Sequence, residues 1–82
     1  MKIYYFSWIR ERLNLSSENF SSESSTISEL INELRSRDIK YKKVFDDLSV
    51  IKVAVNQNII NDFEFEINNN SEVAFFPPMT GG

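Results

Sequence analysis

Apolar positions along the chain recur with two different periods, and the switches between them mark out the elements. Lys2 to Ser7 is rich in aromatics beside Ile3 and predicts a strand. Ser7 is placed to cap a short helix from Trp8 to Leu13. Residues 14–25 are mostly Ser, Asn and Glu around Phe20 and read as a loop carrying one short strand. Thr26-Ile27-Ser28-Glu29 then has the capping-box form, with Thr26 as N-cap and Glu29 reaching back. Behind it Ile27, Leu30, Ile31 and Leu34 form a single helical stripe, which predicts a helix to about Arg37. Residues 38–48 set Tyr41, Val44, Phe45 and Leu48 among charges and predict a short helical turn and a loop.

From Ser49 to Val55 the period falls to two, with Ile51, Val53 and Val55 on one face and Lys52, Ala54 and Asn56 on the other. This predicts a strand with one side buried. Asn56-Gln57-Asn58 reads as a turn, Ile59-Ile60 as a short edge strand and Glu72 to Phe76 as the last strand. Strands, one main helix and further strands predict an α+β fold, a small mixed sheet with the helix packed on one face. A final strand feeding an extended tail fits the β-grasp, or ubiquitin-like, topology by analogy. The expected division is a domain over 1–76 and a tail over 77–82.

Alternation also says which way the side chains point. With Val73 and Phe75 toward the helix, Ala74 and Phe76 point away, and with Ile3 and Tyr5 inward, Tyr4 and Phe6 point outward. If the two strands are neighbours, Tyr4, Phe6 and Phe76 share the helix-free face with the small Ala54 and Ala74. Such an aromatic cluster is a candidate partner surface. The alternative is that residues 38–48 fold over it.

Composition narrows the chemistry. The chain has no cysteine and no histidine, which removes thiol nucleophiles, imidazole bases and the usual zinc ligand sets. No bound metal or cofactor is expected. A net charge of −3 argues against non-specific nucleic-acid binding. Arg35, Arg37, Lys40, Lys42 and Lys43 are better read as a solvated helix end than as a nucleic-acid patch. No stretch is apolar enough for a membrane helix, and the charges within MKIYYFSWIRERL leave no signal-peptide core, so a cytoplasmic protein without membrane partners is expected.

Glycine and proline are placed unevenly. Average usage would give about six glycines and four prolines in a chain of this length. There are two of each, all within Pro77-Pro78-Met79-Thr80-Gly81-Gly82. Prolines favour an extended conformation, and six residues at ~3.1–3.5 Å each project the terminal carboxylate roughly 20 Å. Gly81-Gly82 leaves a tip without side chains, able to enter a channel that fits only backbone. A carboxylate is a poor acyl donor, so a partner would have to activate it, with ATP-dependent adenylation the natural route. A frayed polar tail is the plain alternative.

The run Val73-Ala74-Phe75-Phe76-Pro77-Pro78-Met79-Thr80-Gly81-Gly82 closely resembles the C-terminal signature of the molybdopterin synthase small subunits, the MoaD-like sulfur carriers. Ser7-Trp8-Ile9-Arg10-Glu11, Ala54-Val55-Asn56-Gln57 and the total length agree more weakly. Met79 stands where a smaller aliphatic residue is common, and Asn69-Asn70 where Asp-Gly is frequent. The resemblance implies that Gly82 is adenylated by an activating enzyme that uses ATP and is converted to a thiocarboxylate. It then donates sulfur to a pyranopterin precursor inside the large subunit, in a heterotetramer of two large and two small subunits. Catalytic groups would belong to the large subunit. Phe76, Ile59, Phe6, Pro77, Pro78, Met79 and Thr80 would dock on partners beside the tail tip Gly81. Arg10 would contact the activating enzyme, or stand as an ordinary helix charge. A carrier for a thiamine-type pathway, a ubiquitin-like protein modifier and a non-reactive ubiquitin-like binding module share many of these features.

Overall fold

The computed structural model describes residues 1–78. Its elements run β1 (Lys2–Tyr5), α1 (Ser7–Leu13), β2 (Ser17–Asn19), α2 (Ile27–Arg35), α3 (Ile39–Val44), a 3-10 turn (Leu48–Val50), β3 (Lys52–Val55), β4 (Asn58–Ile60) and β5 (Glu72–Phe76). The strands form one sheet in the order β2-β1-β5-β3-β4. The central pair β1 and β5 is parallel, and the remaining pairs are antiparallel. Among the described residues no helix is long and apolar enough to cross a membrane.

The apolar stripe of α2 accounts for the main layer. Ile27, Leu30, Ile31 and Leu34 are all fully buried, against inward residues of the sheet such as Ile3, Val53, Val73 and Phe75. Thr26 Oγ1 accepts from the Glu29 amide at 3.2 Å, as the capping box requires. Glu29 reaches one residue further than expected and accepts from the Ser25 amide at 2.8 Å. Helix α2 stops at Arg35 rather than Arg37, because Asp38 turns outward to cap α3, accepting from the Lys40 amide at 3.0 Å. The 38–48 segment holds a true helix. It buries Tyr41 and Val44 while packing on α1 and α2, and Phe45 meets Phe75 edge-on at 5.0 Å. The segment therefore lies on the helix side, and the opposite face of the sheet stays open.

Three local expectations change for identifiable reasons. Ser7 does not cap α1: Phe6 is the N-cap residue, with no side-chain cap, and Ser7 has a left-handed backbone (φ 56°). Strand β3 begins at Lys52 because Asp47 caps the preceding 3-10 turn, accepting from the Ser49 amide at 3.0 Å. Strand β4 includes Asn58, because the hairpin closes on the pair Val55 and Asn58, leaving Asn56 and Gln57 as the two turn residues. Both have positive φ, 50° and 71°, the requirement of a type I′ turn.

A half-buried polar knot fastens β2 to the rest. Glu18 pairs in register with Ile3 and so points to the helix side. Its carboxylate accepts from Tyr5 Oη at 2.7 Å, Tyr41 Oη at 2.9 Å and Arg37 Nη1 at 2.9 Å. The Arg37 guanidinium also lies 4.6 Å from the Phe20 ring centroid and 4.9 Å from that of Tyr41. Arg37, just past the end of α2, stays exposed as a solvated charge and also binds Glu18. Burial pushes the Glu18 carboxyl up, but the hydrogen bonds from Tyr5, Arg37 and Tyr41 outweigh it and hold it below the ordinary carboxylate range. Burial and the bond to Glu18 push the Tyr41 hydroxyl up to about 12, and push Tyr5 up as well.

The signs give stability a window. The Glu18 contribution is complete above the ordinary glutamate pKa and is lost as pH falls through its lower folded value. The tyrosine contribution is complete below about 10 and is lost as pH rises through the raised folded values. Replacing Glu18 by Gln should cost about 2–3 kcal/mol at neutral pH, roughly 10–20 °C in Tm, and flatten the acid limb of a denaturation-against-pH profile. An acid limb identical to wild type would remove the knot from the stability of the fold. In the hairpin, Gln57→Gly should raise stability by about 0.5–1 kcal/mol in urea titration, since a side chain at φ 71° is relieved.

Candidate functional site

The open face follows from pairing register. Tyr4 sits beside Ala74, Ala74 beside Ala54 and Ala54 beside Ile59, so one row crosses β1, β5, β3 and β4 on the side away from the helices. The two alanines make the centre of the row low, with Tyr4 and Ile59 as its shoulders. Ile59 is 66% exposed, whereas Ile60, one step along and facing the other way, is 7% exposed. Period-two geometry alone explains that contrast.

The next row lies toward the tail. Phe6 continues the ladder beyond β1, its amide donating to the Phe75 carbonyl at 3.1 Å. Phe76 pairs in register with Lys52. Phe6 stays 45% exposed because the chain turns sharply at Ser7 into α1 instead of covering it. Phe6, Ser7, Ala74, Phe76, Pro77 and Pro78 line an apolar groove of about 500 Å³. A second hollow of about 240 Å³, lined by residues including Tyr4, Ala54 and Gln57, shares Phe6 and Ala74 with it.

Rigidity comes from the buried side of the same strand. Phe75 stacks on Tyr5 at 6.1 Å and 13° and meets Phe45 edge-on, so the strand bearing Ala74 and Phe76 outward is gripped by aromatic rings inward. Tyr5 is in turn bonded to Glu18. The prolines come directly after Phe76, and neither can donate a ladder hydrogen bond, which agrees with β5 ending there.

The structure gathers Phe6, Phe76, Pro77 and Pro78 at one groove and puts Ile59 on the same face, across the alanine trough. Arg10 stands apart. It is exposed on α1 in the helix layer and forms no ion pair among the described residues. Met79, Thr80, Gly81 and Gly82 lie outside the described residues. The basic cluster is solvated as expected, with Lys40, Lys42 and Lys43 exposed on α3; within it Arg37 binds Glu18, and Lys40 Nζ donates to the Leu13 carbonyl at 3.3 Å, at the C-terminal end of α1. Two features escape the sequence. The left-handed Ser7 carries no residue signal, since serine has no preference for that region, and Glu18 reads as one more polar loop residue.

A profile of the ThiS family matches residues 3–82, nearly the whole chain. The chain belongs to the ThiS family. Within it, the chain is similar to the molybdopterin synthase sulfur carrier subunit of Dictyostelium discoideum, 33% identical over 84 residues, spanning 99% of this chain and 94% of that one. It is also similar to the protein of the same description from Escherichia coli, 27% identical over 82 residues, spanning 100% of this chain and 99% of that one. Among solved structures, the complex of subunits 1 and 2 of molybdopterin-converting factor from Helicobacter pylori contains a chain that superposes with a TM-score of 0.64 at 20% identity, covering 99% of this chain and 96% of that one. At that identity the likeness concerns the fold, and the β-grasp expectation for a ThiS-family chain holds.

Orientation of the face is open to a direct check. Ile59→Ser should change unfolding free energy by less than about 0.5 kcal/mol, while Ile60→Ala should cost about 2–4 kcal/mol, both read from denaturant titration. Equal losses would mean that the edge strand is turned over.

Proposed function

We propose that this protein is the sulfur carrier subunit of a molybdopterin synthase, working through the Gly82 carboxylate. The observation that carries the reading is the apolar groove at the root of the tail, on a ThiS-family fold whose full-length relatives bear that description. A carrier needs two things: a surface that docks on successive partners, and a reactive end held clear of that surface. The open sheet face supplies the first. The Pro77-Pro78 pair, leading from β5 into Met79-Thr80-Gly81-Gly82, supplies the second.

In this reading an activating enzyme positions the tail against ATP. A Gly82 carboxylate oxygen attacks the α-phosphorus and pyrophosphate leaves. The acyl adenylate is then open to a sulfur nucleophile, which displaces AMP and leaves the thiocarboxylate. The large synthase subunit binds the same face and takes the tail into its active site, where the thiocarboxylate sulfur bonds to the pyranopterin precursor and water cleaves the acyl–sulfur bond, returning the Gly82 carboxylate. Phe6, Phe76, Pro77, Pro78 and Ile59 serve docking, Met79 and Thr80 line the path, and Gly81-Gly82 passes where a Cβ would collide. Arg10, on another side of the molecule, serves the activating enzyme rather than the large subunit. The chain itself holds no cofactor and catalyses nothing alone, and its ATP-dependent loading places it in the cytoplasm.

Intact mass spectrometry of the protein from its own cells tests the chemistry: a species with one terminal oxygen replaced by sulfur is expected. Gly82→Ala should fold as wild type and lose sulfur transfer. Phe76→Ala should weaken large-subunit binding by about 2 kcal/mol or more, some thirtyfold in Kd. Finding only the unmodified carboxylate in cells that are making the cofactor would defeat the reading.

A further inference from the structure

The charged residues of the open face do not balance. Three rows run across it. The row furthest from the tail holds Lys2 and Glu72, neighbours in register on β1 and β5 with opposite charges. Lys2 also rests its ammonium 5.6 Å from the Tyr4 ring centroid. The middle row, from Tyr4 through the alanines to Ile59, is uncharged. The row nearest the tail holds Phe6, Phe76 and Lys52, and Lys52 forms no ion pair among the described residues. A chain of net charge −3 thus presents one uncompensated positive charge on its apolar face, next to the residue from which the tail departs.

We propose that Lys52 is the electrostatic contact of this face: it pairs with a carboxylate that the large subunit carries beside the mouth of the channel receiving the tail. The inference rests on the docking role proposed for this face and adds what the partner must display there. Position supports it. Lys52 is exposed, lies in register with Phe76 and shares the outward side of β3 with Ala54, so a body seated on Phe76 comes within reach of its ammonium. Charge supports it as well. Lys2 has Glu72 as its register neighbour in the row furthest from the tail, whereas Lys52 stands beside Phe76, so a partner's negative charge near the root of the tail meets Lys52. A rim charge at such a place steers encounter and fixes orientation more than it adds to final affinity. Orientation is what a tail bound for a narrow channel requires.

The test measures association and dissociation of the intact protein with the large subunit at low and high salt. Lys52→Gln should lower the association rate about three- to tenfold at low salt and flatten its salt dependence, with dissociation changed less than about twofold. Lys52→Glu should slow association further, and Lys52→Arg should restore it. Phe76→Ala, measured alongside, separates the two claims. If Lys52→Glu associates at the wild-type rate with the wild-type salt dependence while Phe76→Ala binds weakly, the lysine is overturned and the docking face stands. If neither variant differs from wild type, the docking face itself is overturned and the lysine with it.

Discussion

Strand β5 is the element on which everything else depends, because it sits at the centre of the sheet with β1 on one side and β3 on the other. Its alternation commits Val73 and Phe75 to the core and Ala74 and Phe76 to the open face. A one-residue slip would exchange these sets, bringing the aromatic that stacks on Tyr5 to the surface. The energetic cost of such a slip is the loss of nearly the whole central core. The groove at the tail root is therefore stabilised by residues that never touch it.

The same arrangement explains how a chain with so few glycines manages its turns. Left-handed backbone falls on Ser7, Asn14, Asn56 and Gln57. Asn14 and Asn56 are residues that tolerate it. Asn56 also offsets part of its strain, since its Oδ1 accepts from the Glu72 amide at 2.9 Å and so ties the hairpin to the start of β5. Ser7 and Gln57 have no such compensation among the described hydrogen bonds. Both line the open face, Ser7 at the tail groove and Gln57 at the adjoining hollow. Backbone strain gathers where the chain shapes its surface and not where it builds its core.

Much of this is legible in the residues, for definite reasons. The α2 stripe and the β3 alternation carry their own periods, so Ile27, Leu34, Val53 and Val55 belong to the core on periodicity alone, and the structure buries all four. Pairing of β1 with β5 has to be assumed, and once it is given, Tyr4, Phe6, Ala54, Ala74 and Phe76 fall on one face by geometry. Element ends are less legible because they turn on single side chains. Asp38 caps α3 and Asp47 caps the 3-10 turn, and nothing in their identity says which of several polar neighbours will do so. Glu18 cannot be read at all, since its three partners come from positions 5, 37 and 41 and meet only when the fold is complete.

Those three partners show how a domain this small divides its labour. The helix layer and β2 are tied by a charged knot in which Tyr5 and Tyr41 reach Glu18 from the core and Arg37 closes it from the surface, and among the described residues no buried side-chain polar atom is left unpaired. The opposite face leaves Phe6 and Ile59 exposed and Tyr4 and Phe76 half-buried, an apolar cluster around the alanine trough. Stability is concentrated on one side of the sheet, and the other is left free to serve the docking role proposed for it. Association on that face would then bury Phe6, Phe76 and Ile59 with little change in the fold beneath, because Phe75, Tyr5 and Glu18 already hold the strand in place.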